Sequence, residues 1–398
     1  MTEQATPVVV VGGGLAGISF ASALRQGGYS GPLTLVGEES EAPYDRPPLS
    51  KAFLKDADEQ KIRLDVSRLA DVDVLRGVRA DAIELAARSL RLSDGQRLPW
   101  GTLVLATGAR ARDLPALQGT ARPVFTLRTM DDARRLREAL KPGCKVLLVG
   151  AGVIGLELAA TASELGGEVT VVEAQPRVMA RSVPATLSAY VQQRHLAAGA
   201  QLHLSRRIVA CFDGGVELDD GTRVPTDLVV AGIGVQSNDE LAQAAGIRCN
   251  DGVEVDGFGR SSAPGVLAIG DVARQVEPVS GQVMRIETWS NAQMQGAAAA
   301  RAWLDASAPP YAENPWFWSD QYELRIQGVG MPAGERELVR GDVASGRFAL
   351  LQFNGDRLVG AACVNNARDF GALRRLVGRR FDATDAQWAD TADLRKIA

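Results

Sequence analysis

The sequence predicts an α/β protein in which two parallel-sheet units of one plan are followed by a C-terminal α+β segment. Three observations predict it. A strand, glycine-rich turn, helix, strand and acid occur twice in that order; short apolar strands that end in glycine recur after each copy; and the pattern changes beyond Pro309-Pro310. At roughly 150 residues per domain, 398 residues hold two to three domains.

Val8 to Val11 is an apolar, β-branched run, as expected of a strand buried on both faces. It enters Gly12-Gly13-Gly14-Leu15-Ala16-Gly17, and Ile18, Ala21 and Leu24 then share one face of a helix that ends by Gly28. A second strand, Leu33 to Val36, stops at Gly37 and Glu38. Arg79 to Leu98 alternates like antiparallel strands with a turn at Asp94-Gly95, and Leu103 to Ala106 is a further buried strand running into Thr107-Gly108. The order then returns: strand Lys145 to Val149, turn Gly150-Ala151-Gly152-Val153-Ile154-Gly155, helix Leu156 to Leu165, and strand Val169 to Val172 ending at Glu173. Asp219-Asp220-Gly221 is a turn, and Asp227 to Ala231 is a strand leading into Gly232-Ile233-Gly234. Val266 to Ile269 is one more, stopping at Gly270-Asp271. Past Pro309-Pro310 come short strands with turns at Gly334, Gly341, Gly346 and Asn354-Gly355, then a helix from about Asp369 to Val377. The predicted domains are 1–111 with 239–309, an inserted 112–238, and 310–398.

Composition narrows the function. Hydrophobic residues are 46% and charged residues 23%, the balance of a folded protein. Forty-four basic against 48 acidic residues give a net charge of −4, which gives no support to a nucleic-acid partner. No apolar run approaches the roughly 18 residues of a membrane span. Met1 to Pro7 lacks the basic and apolar regions of a secretory signal, so a cytoplasmic protein is expected. Cys144, Cys211, Cys249 and Cys363 lie far apart without metal or redox spacing, and no metal centre is expected.

Each glycine turn answers a physical need. The first glycine permits the tight turn, the second lets the backbone approach a pyrophosphate, and the third lets the helix pack on the strand. The helix N-terminus offers free N–H groups to the phosphates, and the acid after the second strand accepts from a ribose hydroxyl. Two such motifs define two Rossmann-like dinucleotide-binding domains. One dinucleotide held as a prosthetic group and one exchanged as substrate is the plan of a flavin enzyme reduced by a nicotinamide. Glu173 favours NADH, because a carboxylate repels a 2′-phosphate, although Arg177 stands close enough in sequence to soften that repulsion.

The two fingerprints, Ala106-Thr107-Gly108 and Ala268-Ile269-Gly270-Asp271 resemble those of glutathione-reductase-fold flavoproteins. More narrowly, Tyr44-Asp45-Arg46-Pro47-Pro48-Leu49-Ser50-Lys51 and Pro315-Trp316-Phe317-Trp318-Ser319-Asp320-Gln321 resemble the FAD-dependent NADH:ferredoxin reductases of bacterial oxygenase systems, which serve aromatic-ring dioxygenases and cytochromes P450. The resemblance implies that Gly12, Gly14, Leu15, Ala16, Gly17 and Glu38 hold the ADP half of FAD. Arg46, Lys51 and Arg128 would lie along the flavin, and Asp271 would bind the ribityl chain. Ala80, Thr107, Gly108 and Gly270 are placed on the FAD side as well. The helix after Trp289 would point at the pyrimidine end. Gly150, Gly152, Val153, Ile154, Gly155, Glu173 and Gly234 would hold NAD(H). Glu157 would sit near the nicotinamide and pair with Lys51, and Trp318 would border the isoalloxazine. Lys51, Glu157 and Trp318 are therefore the expected catalytic residues.

Disulfide enzymes of this fold carry a redox cysteine in the segment after the second strand, whereas here no cysteine precedes Cys144. The exit for electrons is then one at a time, to an iron–sulfur protein or similar carrier, and the resemblance implies that this carrier is a [2Fe–2S] ferredoxin of the Rieske-type or adrenodoxin-like class. Two alternatives stand beside this: a rubredoxin reductase, and an NADH-binding sensor of the apoptosis-inducing-factor type. Trp289 reads either as a flavin neighbour or as core, and Asp271 either as a ligand or as a helix cap. Arg368, Arg374, Arg375, Arg379 and Arg380 read as a solvated face or as a docking patch for an acidic ferredoxin. His195 and His203 read as structural. Oligomeric state is open.

Overall fold

A computed structural model describes residues 6–117, 120–391 and 393–397. Most of the N-terminal stretch considered above, residues 1–5, lies outside the described residues. The chain forms two compact units. The first comprises Met1–Asp45, Gln60–Arg110 and Gln236–Pro315, and the second Arg46–Glu59, Ala111–Val235 and Trp316–Ala398.

The first unit is organised by a five-stranded parallel sheet in the order Val266–Ala268, Thr102–Leu105, Val8–Val11, Leu33–Gly37, Asp73–Arg76. Val8–Val11 is central and wholly buried because both faces are covered. Val8 and Val10 pack with Ile18, Phe20, Ala21, Leu24, Ala299 and Ala300 from the helices Leu15–Gln26 and Trp289–Leu304. Val9 and Val11 pack on the other side with Ile83, Leu90, Leu92 and Trp100. The alternating stretch is a three-stranded antiparallel meander, Ala80–Glu84, Ser89–Leu92 and Arg97–Pro99, with an additional turn in which Arg88 takes φ of +47°.

The second unit repeats the plan. Its parallel sheet runs Gln201–Leu204, Glu168–Glu173, Lys145–Val149, Leu228–Ala231, Val124–Phe125, and its meander is Ile208–Phe212, Gly215–Leu218 and Arg223–Pro225. The fingerprint helix is Val153–Glu164, starting three residues earlier than its apolar spacing predicts because Val153 and Ile154 already belong to the first turn. The C-terminal segment forms a five-stranded antiparallel sheet in the order Trp316–Gln321, Leu324–Gly330, Arg357–Val364, Arg347–Asn354, Arg336–Asp342. Helix Ala367–Leu376 buries Phe370, Leu373 and Leu376, and Asn366 caps it by accepting from the Asp369 amide. The predicted α/β architecture with a C-terminal α+β segment is the observed one.

Candidate active site

The two glycine turns are built alike. Gly12 and Gly150 take φ of +123° and +103°. A Cβ there would meet Ala106 O at 2.1 Å and Gly232 O at 2.5 Å, so only glycine lets each turn pass beneath the neighbouring strand end. A Cβ at Gly17 or Gly155 would meet Gly12 O at 2.1 Å or Gly150 O at 2.2 Å, which is the close helix–turn contact the motif requires. Gly14 and Gly152 are different. Each is an extended N-cap without a side-chain cap, and a Cβ would meet nothing within 4 Å. An open approach to uncapped helix amides is the chemistry a pyrophosphate needs, so these residues fit FAD at the first turn and NAD at the second.

Around the first turn, a Cβ at Gly270 would lie 2.7 Å from Ala16 Cβ, so both residues are small to let the chain close on the helix. Leu15 opens that helix. Glu38 is exposed at the end of its strand, and Gly77 N and Val78 N bond to Glu39 O and Gly37 O, which brings the segment leading to Ala80 alongside. Thr107 is locked by Asn238: its hydroxyl donates to Asn238 O at 2.7 Å, while Asn238 Nδ2 donates back to Thr107 O at 2.9 Å. Gly108 follows with φ of +65°. Asp271 lies inside a 3-10 turn, Gly270–Val272, whose N-cap is Ile269. The helix-cap reading of Asp271 is therefore corrected, and Thr288 caps the next long helix. Trp289, half-buried, donates from Nε1 to Asp45 Oδ1 at 2.8 Å, and burial raises the Asp45 pKa against that bond.

In the second unit, Lys51 Nζ lies 3.0 Å from Glu157 Oε1 and 3.1 Å from Asp320 Oδ2, and 5.5 Å from the centre of the Trp318 ring. Three of the expected residues thus meet, brought in by the Pro47–Ser50 turn, helix Val153–Glu164 and strand Trp316–Gln321. Glu157 is 4% exposed and Lys51 15%. Burial raises the Glu157 pKa, opposed by the charge of Lys51 and by hydroxyl donation from Ser50 and Ser319. Arg46 Nη1 donates to Arg128 O, so these two also come together. Glu173 Oε2 accepts from Ala151 N and Oε1 from Gln175 N, both at 2.7 Å. Arg177 is committed to Val183 O at 2.9 Å and Ala180 O at 2.8 Å. Its guanidinium binds backbone, so the softening role considered for it is not its arrangement here. Ile154 is exposed beside Gly152, and Gly234 takes φ of +102°.

The arginines of the C-terminal segment, 368, 374, 375, 379 and 380, are all exposed, with Arg374 stacked 4.4 Å over Trp316. Sequence reasoning missed Ser50, Ser319, Asp320 and Gln321 as functional candidates, although all four stand in the two quoted motifs. For Ser319 and Gln321 the signal was the strand's alternation, which puts both on a buried face.

The pyridine nucleotide-disulphide oxidoreductase family matches residues 6–296, and the reductase C-terminal domain matches 316–398. The chain belongs to the pyridine nucleotide-disulphide oxidoreductases. It is 42% identical over 401 residues to the anthranilate 1,2-dioxygenase system ferredoxin–NAD(+) reductase component of Burkholderia cepacia, covering 97% of this chain and 98% of the relative. It is 38% identical over 414 residues to the p-cumate 2,3-dioxygenase system counterpart of Pseudomonas putida, covering all of both. Among solved structures, the ferredoxin reductase for the CYP199A2 system from Rhodopseudomonas palustris matches with a TM-score of 0.91 at 38% identity, over 99% of this chain and 100% of that one. The putidaredoxin reductase of a covalent complex with putidaredoxin matches with a TM-score of 0.93 at 33% identity, over 99% and 98%. As a member of this oxidoreductase family the chain is notable for its thiols. All four cysteines are free, and burial pushes Cys144 up, Cys249 up to about 11 and Cys363 higher still, away from the nucleophilic thiolate.

Proposed function

We propose that this protein is an NADH:ferredoxin oxidoreductase that supplies single electrons, through a [2Fe–2S] ferredoxin, to an oxygenase acting in aromatic catabolism. The observation that carries the reading is the buried Lys51–Glu157 pair beside Trp318, in a chain with two pyrophosphate-ready glycine turns and no thiol relay. The reductase relatives named for dioxygenase systems support the acceptor class. Bound FAD supplies the conversion from hydride acceptance to single-electron release.

The chain's own residues do the rest. Gly12, Gly14 and Gly17 hold the first pyrophosphate against helix Leu15–Gln26, and Gly150, Gly152 and Gly155 hold that of NADH against helix Val153–Glu164. Asp271, Thr107, Gly108, Ala80, Glu38 and Trp289 are assigned to FAD, as are Arg46 and Arg128. Glu173, already fixed by two backbone amides, selects the free ribose of NADH. Lys51, held in place by Glu157 and Asp320, is assigned with Trp318 to the flavin, as the ammonium group that favours its reduced, negatively charged form. Each NADH gives two electrons and a proton, so two ferredoxins are reduced per turnover. No described helix is long and apolar enough to cross a membrane. We place the protein in the cytoplasm, and keep the three-domain division at 111, 239 and 310 as our reading.

The test is anaerobic reduction with NADH followed by cytochrome c turnover with and without a [2Fe–2S] ferredoxin. A large ferredoxin-dependent rise, greater with NADH than with NADPH, is expected. A yellow protein that NADH reduces but no iron–sulfur protein reoxidises would sink the reading in favour of a sensor.

A further inference from the structure

The hydrogen bonds around Glu157 do not stop at Ser319. Ser319 Oγ lies 2.8 Å from Glu157 Oε1, Gln321 Nε2 lies 2.9 Å from Ser319 Oγ, and His195 Nε2 lies 2.9 Å from Gln321 Oε1. Ser319, Gln321 and His195 are all fully buried. On the other carboxylate oxygen, Ser50 Oγ sits 2.5 Å from Oε2, and Thr161 one turn further along the same helix donates to Ser50 O at 2.8 Å. We propose that His195, Gln321, Ser319 and Ser50 are positioning residues of one polarised relay that holds Glu157 ionised against Lys51.

The direction of the chain follows from counting protons. An ionised carboxylate only accepts, so the single proton of Ser319 points at Glu157. Ser319 Oγ must then accept from Gln321, which turns the amide NH₂ toward Ser319 and the amide oxygen toward His195. Met179 Sδ, a weak acceptor 3.8 Å from Gln321 Nε2, agrees with that orientation. His195 must therefore carry its proton on Nε2.

The far end supplies the bias. His195 Nδ1 is buried and has no hydrogen-bond partner among the described residues. Reversing the chain, as protonation of Glu157 would permit, moves the imidazole proton to Nδ1 and leaves a buried donor with no acceptor. Protonating both nitrogens is opposed by burial and by the neighbouring charge of Arg194, and Arg194 itself pairs with Glu323 over the Tyr322 ring. The charged groups at the Glu157 end are Lys51 and, through Lys51, Asp320. His195 thus prefers the one chain direction in which every donor points toward Glu157.

This inference rests on the role assigned above to the Lys51–Glu157 pair, but its main readouts need neither NADH nor ferredoxin. The chain has two histidines, so histidine-selective ¹⁵N labelling, with His203→Gln for assignment, resolves His195 in the oxidised protein. The expected spectrum is the neutral Nε2–H tautomer, unchanged from about pH 5.5 to 8. Infrared difference spectra against Glu157→Gln follow the carboxyl band as pH falls. Ser319→Ala should move that titration up by about one to two pH units, and Ser319→Thr should restore it. His195→Phe should move it in the same direction. In the NADH-reduced flavin assay the acid limb should shift in parallel. A His195 in the Nδ1–H form, or one that titrates like an ordinary histidine, overturns the relay, and so does an unshifted carboxyl band in folded Ser319→Ala. Failure of NADH to reduce the wild-type protein would instead count against the electron-transfer reading, while the histidine and carboxyl spectra would still decide the relay.

Discussion

The carboxylate of Glu173 accepts a hydrogen bond from the Ala151 amide at 2.7 Å, tying the end of the second strand to the glycine turn of the first. The same side chain is held from its other oxygen by Gln175 N. A carboxylate fixed at this place offers an acceptor to a ribose diol and a negative charge to any 2′-phosphate. Glu173→Ala removes both effects. Loss of a hydrogen bond to a charged group, about 1.5–3 kcal/mol, should raise the KM for NADH about tenfold or more. NADPH should gain, without overtaking, because Arg177 is bound to Val183 O and Ala180 O and provides no replacement cation. Steady-state comparison of the two nucleotides checks this, and an outright inversion of preference would show that Arg177 leaves those carbonyls.

The glycines of one turn should separate folding from binding. Gly152 has an extended backbone with open space at its Cβ position, so Gly152→Ala should fold and keep or slightly raise its stability, by about 0.4–1 kcal/mol through the unfolded chain, with Tm unchanged or slightly higher. NADH reduction should nevertheless fall at least about tenfold, because the methyl group occupies the pyrophosphate approach. Gly155→Ala drives a methyl to 2.2 Å from Gly150 O and should cost about 1–3 kcal/mol of stability. Thermal unfolding and NADH titration of the two variants check the contrast, and equal Tm losses would contradict it.

The parts of this molecule that were legible in the sequence are those written in local chemistry. Val8–Val11 and Lys145–Val149 read as buried strands because a central parallel strand is apolar on both faces. The edge strands Asp73–Arg76, Gln201–Leu204 and Val124–Phe125 were missed, being short and only partly buried, so that no period marks them. Lys51 and Glu157 were found through motif resemblance, and no spacing rule would have joined them. The relay was illegible for the same reason. A buried serine such as Ser319 acquires meaning only when folding brings it to a carboxylate 162 residues away. His195, read as structural, is buried and partnered by Gln321, and its bias on Glu157 lies in a nitrogen with no partner among the described residues.

Burial of Glu157 makes stability depend on pH in a definite direction. Its folded pKa is raised, so the folded state holds the proton more tightly than the unfolded chain does. That contribution is fully present below the ordinary glutamate range and is lost as pH rises through the raised folded value. Glu157→Gln lacks it. From about pH 4 to about pH 8, the Tm of the wild type should therefore fall relative to Glu157→Gln. Lys51→Met should lose more stability than the wild type over the same interval, because Lys51 is the charge that favours the anion. Both variants should slow flavin reduction at least about tenfold, or about 1.4 kcal/mol, and the double variant should be little slower than either. Additive losses would mean that the two side chains act separately.

Cys144, Cys211 and Cys249 are half-buried, Cys363 is fully buried, and none is in a disulfide. Burial holds three of these thiols in the protonated form at neutral pH. A variant with all four replaced by alanine should lose a little stability, about 1 kcal/mol, chiefly from the void at Cys363. Its NADH-driven ferredoxin reduction should stay within about twofold of wild type, because no step passes through sulfur. Stopped-flow reduction and ferredoxin turnover on the folded variant measure both halves. If flavin reduction survived but ferredoxin turnover collapsed, a cysteine would lie on the electron path, and single reversions to cysteine would identify it.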